Sequence, residues 1–98
     1  MEGNSLKVEI HFTKYAEKQI KKLPPHIHES LLVWMKDVLR YGLYEVRKTK
    51  GFHDEPLHGI RQNQRSVRLN KAYRVIYLET KNGDLIIVSI LEVNKHEY

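Results

Sequence analysis

The sequence contains no cysteine, which excludes disulfides and thiolate chemistry and leaves nothing that points to an oxidising compartment. It also lacks a long apolar run. The longest, Leu85 to Leu91, is broken by Ser89 and is far too short to cross a bilayer. The opening residues, Met1-Glu2-Gly3-Asn4-Ser5, are polar and lead into alternating charge, without the apolar core of a secretory leader. A cytoplasmic protein with no membrane partner is expected. Proline is scarce, at three residues, and two of them adjoin at Pro24-Pro25. Repeats, linkers and low-complexity stretches are absent. With 98 residues there is room for one domain, taken as 1–98, with a modest core. A hydrophobic share of 41% and a charged share of 30% are those of a folded globular chain and argue against disorder.

Acids are in short supply. Twelve stand against 17 lysines and arginines, a formal net charge of +5. That excess favours a polyanionic partner, whether nucleic acid, an acidic protein or an anionic surface. A soluble protein with a basic tilt has the same composition, so charge alone does not choose.

What is present is periodicity. Val8, Ile10 and Phe12 alternate with Lys7, Glu9 and His11, a half-buried strand over Leu6 to Phe12. Thr13 is placed to cap a helix through Ala16, Ile20 and Leu23. Pro24-Pro25 ends that helix, because a residue before proline avoids helical dihedrals, and Pro25 suits the first turn of the next. Ile27, Leu31, Trp34, Val38 and Tyr41 then recur at spacings of three and four, an amphipathic stripe closed by Gly42. The segment GFHDEPLHG, from Gly51 to Gly59, is turn-rich and irregular. Strand signals follow at about 60–70, 73–80 and 85–94. Asn82-Gly83 marks a hairpin turn, since both residues tolerate positive φ. The last strand, LIIVSILEV, is apolar on both faces and is expected to be central. The order β-α-α-β-β-β gives an α+β fold, a two-helix hairpin packed on a small, mainly antiparallel sheet.

The strongest chemical signal is RQNQRSVRLNKAYR, residues 61–74, which holds Arg61, Arg65, Arg68, Lys71 and Arg74 without an acid. These five cations have no local counter-charge, and the field they make suits phosphates, for which the planar guanidinium is a good ligand. Ser66 and Arg68 share strand parity opposite to Val67 and Leu69, so the first two belong to the non-core face. A solvated strand face or a basic edge would carry the same residues. The C-terminus, Lys95-His96-Glu97-Tyr98, continues the last strand. His96 and Tyr98 share parity and would lie about 7 Å apart if the strand persists. A histidine beside a basic patch can move protons near neutral pH, though a frayed polar tail has the same sequence. Glu55, between His53 and His58, is either a carboxylate facing that basic region or an ordinary loop acid before Pro56.

Six histidines raise the question of a metal. His26 and His28 are spaced i,i+2 on a helix and do not face one another, and no zinc-type spacing occurs. No metal and no other cofactor is expected. Trp34 belongs with the core stripe rather than with a stacking platform.

Together these features resemble the RelE/ParE toxin superfamily, and in particular its RelE, YoeB and HigB ribonuclease branches. Glu55-Pro56-Leu57 looks like the Glu-Pro-Leu of YoeB-type toxins. Arg65-Ser66-Val67-Arg68-Leu69 is similar to the family's basic, RNA-gripping strand. Tyr73-Arg74-Val75-Ile76-Tyr77 matches its aromatic-Arg-aliphatic-aliphatic-Tyr signature. Asn94-Lys95-His96-Glu97-Tyr98 looks like its C-terminal catalytic tail, although YoeB ends His-Tyr and here Glu97 intervenes. The resemblance implies a RelE-like, microbial-ribonuclease-like fold. It also implies the toxin of a type II toxin–antitoxin system that cleaves mRNA in the A site of the ribosomal 30S subunit without a metal. In that scheme Glu55 is the base, Arg74 stabilises the phosphate, His96 is the acid and Tyr98 assists. Arg61, Arg65, Ser66, Arg68 and Lys71 bind RNA, and an acidic cognate antitoxin covers the basic face. The alternatives are a ParE-like inhibitor of DNA gyrase and a non-catalytic RNA-binding module.

Overall fold

The computed structural model describes residues 7–95. Strand β1 spans Lys7–Phe12, helix α1 Lys14–Lys21 and helix α2 Pro25–Tyr41. A short helix α3 covers Leu43–Arg47, and strand β2 is only Glu55–Pro56. Strands β3, Gln64–Arg68, β4, Tyr73–Asn82, and β5, Leu85–Lys95, complete the chain, with single 3-10 turns at Lys50–Phe52 and Gly59–Arg61. The five strands form one sheet in the order β1-β5-β4-β3-β2, in which only β1 and β5 run parallel.

The local signals explain the helices. The Thr13 hydroxyl accepts from the Ala16 N–H at 3.0 Å and donates to the Leu91 carbonyl at 3.1 Å, so one residue caps α1 and ties it to β5. Pro25 opens α2, and the Gly42 N–H bonds the Val38 carbonyl at φ +91. The apolar stripe of α2 fills the core with Ile27, Leu31, Trp34 and Val38. Tyr41, expected to extend that stripe, is instead 55% exposed with the Arg40 guanidinium over its ring. The chain turns at Gly42, and the next core positions pass to Leu43 and Val46 of α3. From the sheet come Val67, Val75, Tyr77, Ile86, Val88, Ile90 and Val93.

Three further expectations are corrected. The sheet has an additional strand, β2, and the helical layer an additional helix, α3, so the order is not β-α-α-β-β-β. β2 escapes periodicity because it is two residues long and contains a proline, which only an edge strand accepts readily. The strand expected from about residue 60 starts at Gln64, because Gly59–Arg61 forms a 3-10 turn. The last hairpin turns one residue later than expected: Asn82 pairs with Leu85, leaving Gly83 and Asp84 as the loop. Gly83 takes φ +62 while Asn82 does not enter the left-handed region, as in hairpins with glycine at the first loop position.

β5 is interior, as its composition requires, but its two apolar faces have a specific cause. Ile76 pairs with Glu92 whereas Tyr77 pairs with Ile90, leaving Leu91 as the extra residue of a bulge. The bulge reverses side-chain parity. Ile86, Val88 and Ile90 fill the core from even positions, Val93 from an odd one, and Glu92 and Asn94 move to the opposite face.

Candidate active site

The face of β3 and β4 turned away from the core holds the site. Arg68 and Arg74 are directly opposite one another across the strand pair. Ser66 lies two residues before Arg68, and Glu55 on β2 is its cross-strand partner. The connection between β3 and β4 is held by the Asn70 side chain, which accepts from the N–H groups of Ala72 at 2.8 Å and Tyr73 at 2.7 Å. This local capping is typical of asparagine, and it sets Lys71 at the rim. The result is a cleft of about 120 Å³. Its charged lining is Arg68, Lys71 and Arg74 against Glu55. His53, Ser66, Asn70 and Tyr73 complete the wall.

Like charges directly opposite in a strand pair are destabilising, by roughly 0.2–1 kcal/mol. Among the described residues neither Arg68 nor Arg74 is ion-paired, and the buried Nε of Arg74 has no hydrogen-bond partner. An anion between them would remove both costs. Three cations converging on one carboxylate and a hydroxyl can hold a phosphate while an ionised carboxylate accepts a proton beside it. Among the described residues no group of His, Asp and Glu is arranged to hold a metal.

The five-cation segment does not stay together. Arg61 is paired with the Glu92 carboxylate, which the bulge has turned to this side and which also accepts from Asn94 at 2.9 Å. Arg65 stands opposite Tyr77, on the core side, and its Nε donates to Asp54 Oδ1 at 2.6 Å. Both arginines thus find acids far along the chain, which corrects the reading of five cations without counter-charge. Arg68, Lys71 and Arg74 are left at the cleft. His96 and Tyr98 lie outside the described residues; β5 is described up to Lys95.

Beneath the cleft is a second polar cluster that sequence reasoning missed. Asp54 Oδ2 accepts from the Tyr77 hydroxyl at 2.6 Å. That hydroxyl accepts from Arg47 at 3.0 Å, and Arg47 also donates to Glu79 Oε1 at 2.9 Å. Tyr44 donates to the other Glu79 oxygen. Burial, then the bond to Asp54, raises the Tyr77 pKa well above the usual tyrosine range, so it stays a donor. Burial works against the Glu79 carboxylate, but hydrogen bonds from Tyr44 and Arg47 hold its pKa below the ordinary value. Desolvation likewise disfavours charged Arg47, yet its bonds to Glu79 and Tyr77 raise its pKa on balance.

His53 was also missed as a lining residue. It is the only non-glycine at positive φ among the described residues, at φ 46, a conformation that costs about 1–3 kcal/mol unless its surroundings hold it. The signal was its parity with Glu55, two residues on.

No protein-family model and no curated protein matches the sequence. Solved structures match its shape. A chain of the E. coli DinJ-YafQ toxin-antitoxin complex superposes with a TM-score of 0.71 at 18% identity, over 93% of this chain and 94% of that one. The YoeB/ParE toxin from Agrobacterium tumefaciens gives 0.69 at 14% identity, over 91% of this chain and 99% of that one. A chain of the toxin-antitoxin complex RelBE2 from Mycobacterium tuberculosis gives 0.62 at 23% identity, over 93% and 98%. At these identities the likeness is one of fold, and the RelE-like α+β architecture expected from the sequence is the one observed. Among the described residues no helix is long and apolar enough to cross a membrane.

Proposed function

We propose that this protein is the toxin of a toxin–antitoxin pair and that it cleaves mRNA in the ribosomal A site by attack of the RNA's own 2′-hydroxyl. The observation that supports this most is the cleft itself, in which Glu55 stands in register beside Ser66 while Arg68 and Arg74 face each other, neither of them ion-paired among the described residues. In the proposed reaction Glu55 takes the 2′-hydroxyl proton, and the oxyanion attacks the adjacent phosphorus in line. Charge then builds on the non-bridging oxygens, where preorganised guanidinium groups of Arg74 and Arg68 stabilise it, with Lys71 adding field from the rim. His96 would protonate the departing 5′-oxygen, and Tyr98 would bond the phosphate or stack on a base. Arg61 and Arg65, paired with Glu92 and Asp54, play no direct part. An acidic antitoxin is the expected partner of the basic cleft. This agrees with the complexes in which similarly folded chains are found.

The test is mass analysis of message cleaved on purified ribosomes. The upstream fragment is expected to end in a 2′,3′-cyclic phosphate, and one 2′-deoxy substitution at the cleaved nucleotide should stop the reaction. Fragments formed directly with a 3′-hydroxyl and a 5′-phosphate would exclude Glu55 as a base acting on the RNA. Intact message with rising DNA-damage signalling would instead support gyrase inhibition.

A further inference from the structure

The turn that carries Glu55 has little of its own to hold it. β2 is two residues long, and beyond it the next tie to β3 is the Leu57 N–H to the Gln64 carbonyl at 2.9 Å. Before it comes His53, in its left-handed conformation. Both His53 and Glu55 line the cleft. Asp54, between them, points the other way and has a side chain only 2% exposed.

A carboxylate taken out of water needs compensation at each oxygen. Asp54 receives it from three separate elements. Arg65 of β3 reaches Oδ1 at 2.6 Å, Tyr77 of β4 reaches Oδ2 at 2.6 Å, and Arg47 of α3 stands 3.8 Å from Oδ2. Arg65 also donates to the Asp54 carbonyl at 3.4 Å, so backbone and side chain are held together. The donors are fixed in turn. Arg47 is tied to Glu79, and the Tyr77 ring packs on Trp34 with centroids 5.6 Å apart. An acid needed only to neutralise Arg65 has no reason to sit between two cleft residues on a strained turn.

We propose that Asp54 is a positioning residue. Its buried clamp holds the His53–Glu55 turn against β3 and β4, so that the Glu55 carboxylate stands at a set place facing the arginine pair. The inference rests on the reading of Glu55 as the base. It predicts an effect on turnover rather than on binding, because Asp54 itself cannot reach the cleft.

The experiment combines Asp54→Asn, Glu55→Gln and the double variant in the ribosomal cleavage assay with amide hydrogen exchange across residues 53–57. Asp54→Asn should lower kcat by about 10²-fold, the scale of a misplaced catalytic group, with KM unchanged, and should cost nothing further in the Glu55→Gln background. Amides of the turn should exchange faster while those of β1 and α1 keep their protection. The same factor lost in both backgrounds, or unchanged exchange in the turn, would overturn the proposal and leave Asp54 a core ion-pair residue. Tyr77→Phe keeps the ring on Trp34 and removes one donor, so it should reproduce the pattern more weakly. It decides the question if Asp54→Asn does not fold. Full turnover by Glu55→Gln would remove the base assignment instead, and the exchange measurement would then decide the clamp alone.

Discussion

The two faces of the β3–β4 pair put the same residue type to opposite uses. On the cleft face, Arg68 and Arg74 confront each other without an ion pair among the described residues. On the core face, Arg65 one residue away in parity is locked to a buried Asp54, and Arg47 beside it to Glu79. The core arginines have their counter-charges supplied by the fold and stabilise it. The cleft arginines carry a standing repulsion that an anion bound between them would relieve. An arginine's role here follows from which side of the strand it leaves.

The sharpest way to break this contrast is to truncate one member of each set. Arg74→Ala should reduce cleavage by about 10²–10³-fold, the scale of losing one transition-state donor. Its thermal unfolding should be unchanged or slightly improved, since a like-charge pair is relieved. Activity within twofold of the parent would remove Arg74 from the chemistry and with it the distinction between the faces.

Arg65→Ala should behave in the opposite sense. It strips Asp54 of the donor to its Oδ1 and should lower unfolding free energy by about 1–3 kcal/mol in urea titration. Affinity for a non-cleavable RNA should hold. A large loss of affinity with stability intact would return Arg65 to the RNA-binding set that the sequence suggested.

A smaller effect sharpens the comparison by salt. If Arg68 meets a phosphate, Arg68→Ala should reduce the slope of log affinity against log salt by about one, whereas Arg65→Ala should leave it alone. Binding curves at several salt concentrations measure this. Slopes equal to the parent's in both variants would mean that neither arginine touches the RNA backbone.

The smallest expected effect is on acid stability. Despite burial, the Glu79 pKa is lowered in the folded state by Tyr44 and Arg47. Its contribution is therefore present above the ordinary glutamate range and is lost as pH falls through the lower folded value. Glu79→Gln should flatten the decline in stability between about pH 5 and pH 2, where carboxylates titrate. An unchanged pH profile would show that the cluster stabilises through packing rather than charge.

Much of the framework was legible in the chain because it depends on near neighbours. Thr13 caps, Pro24-Pro25 separates two helices, Ile27 to Val38 repeat at the helical period, and β1 alternates, all through covalent geometry and local hydrogen bonds. The parity that separates Ser66 and Arg68 from Val67 and Leu69 was equally visible, although Arg65 was still counted with the RNA-binding residues. Which cations remain unpaired was not. Asp54 reaches Arg65 across 11 positions and Glu92 reaches Arg61 across 31, and the Leu91 bulge that turns Glu92 toward Arg61 has no sequence period. Charge acts through space rather than along the chain, so the sequence determined the longer elements and the supply of arginines, while the tertiary structure decided which of those arginines the protein neutralises and which it leaves for a ligand.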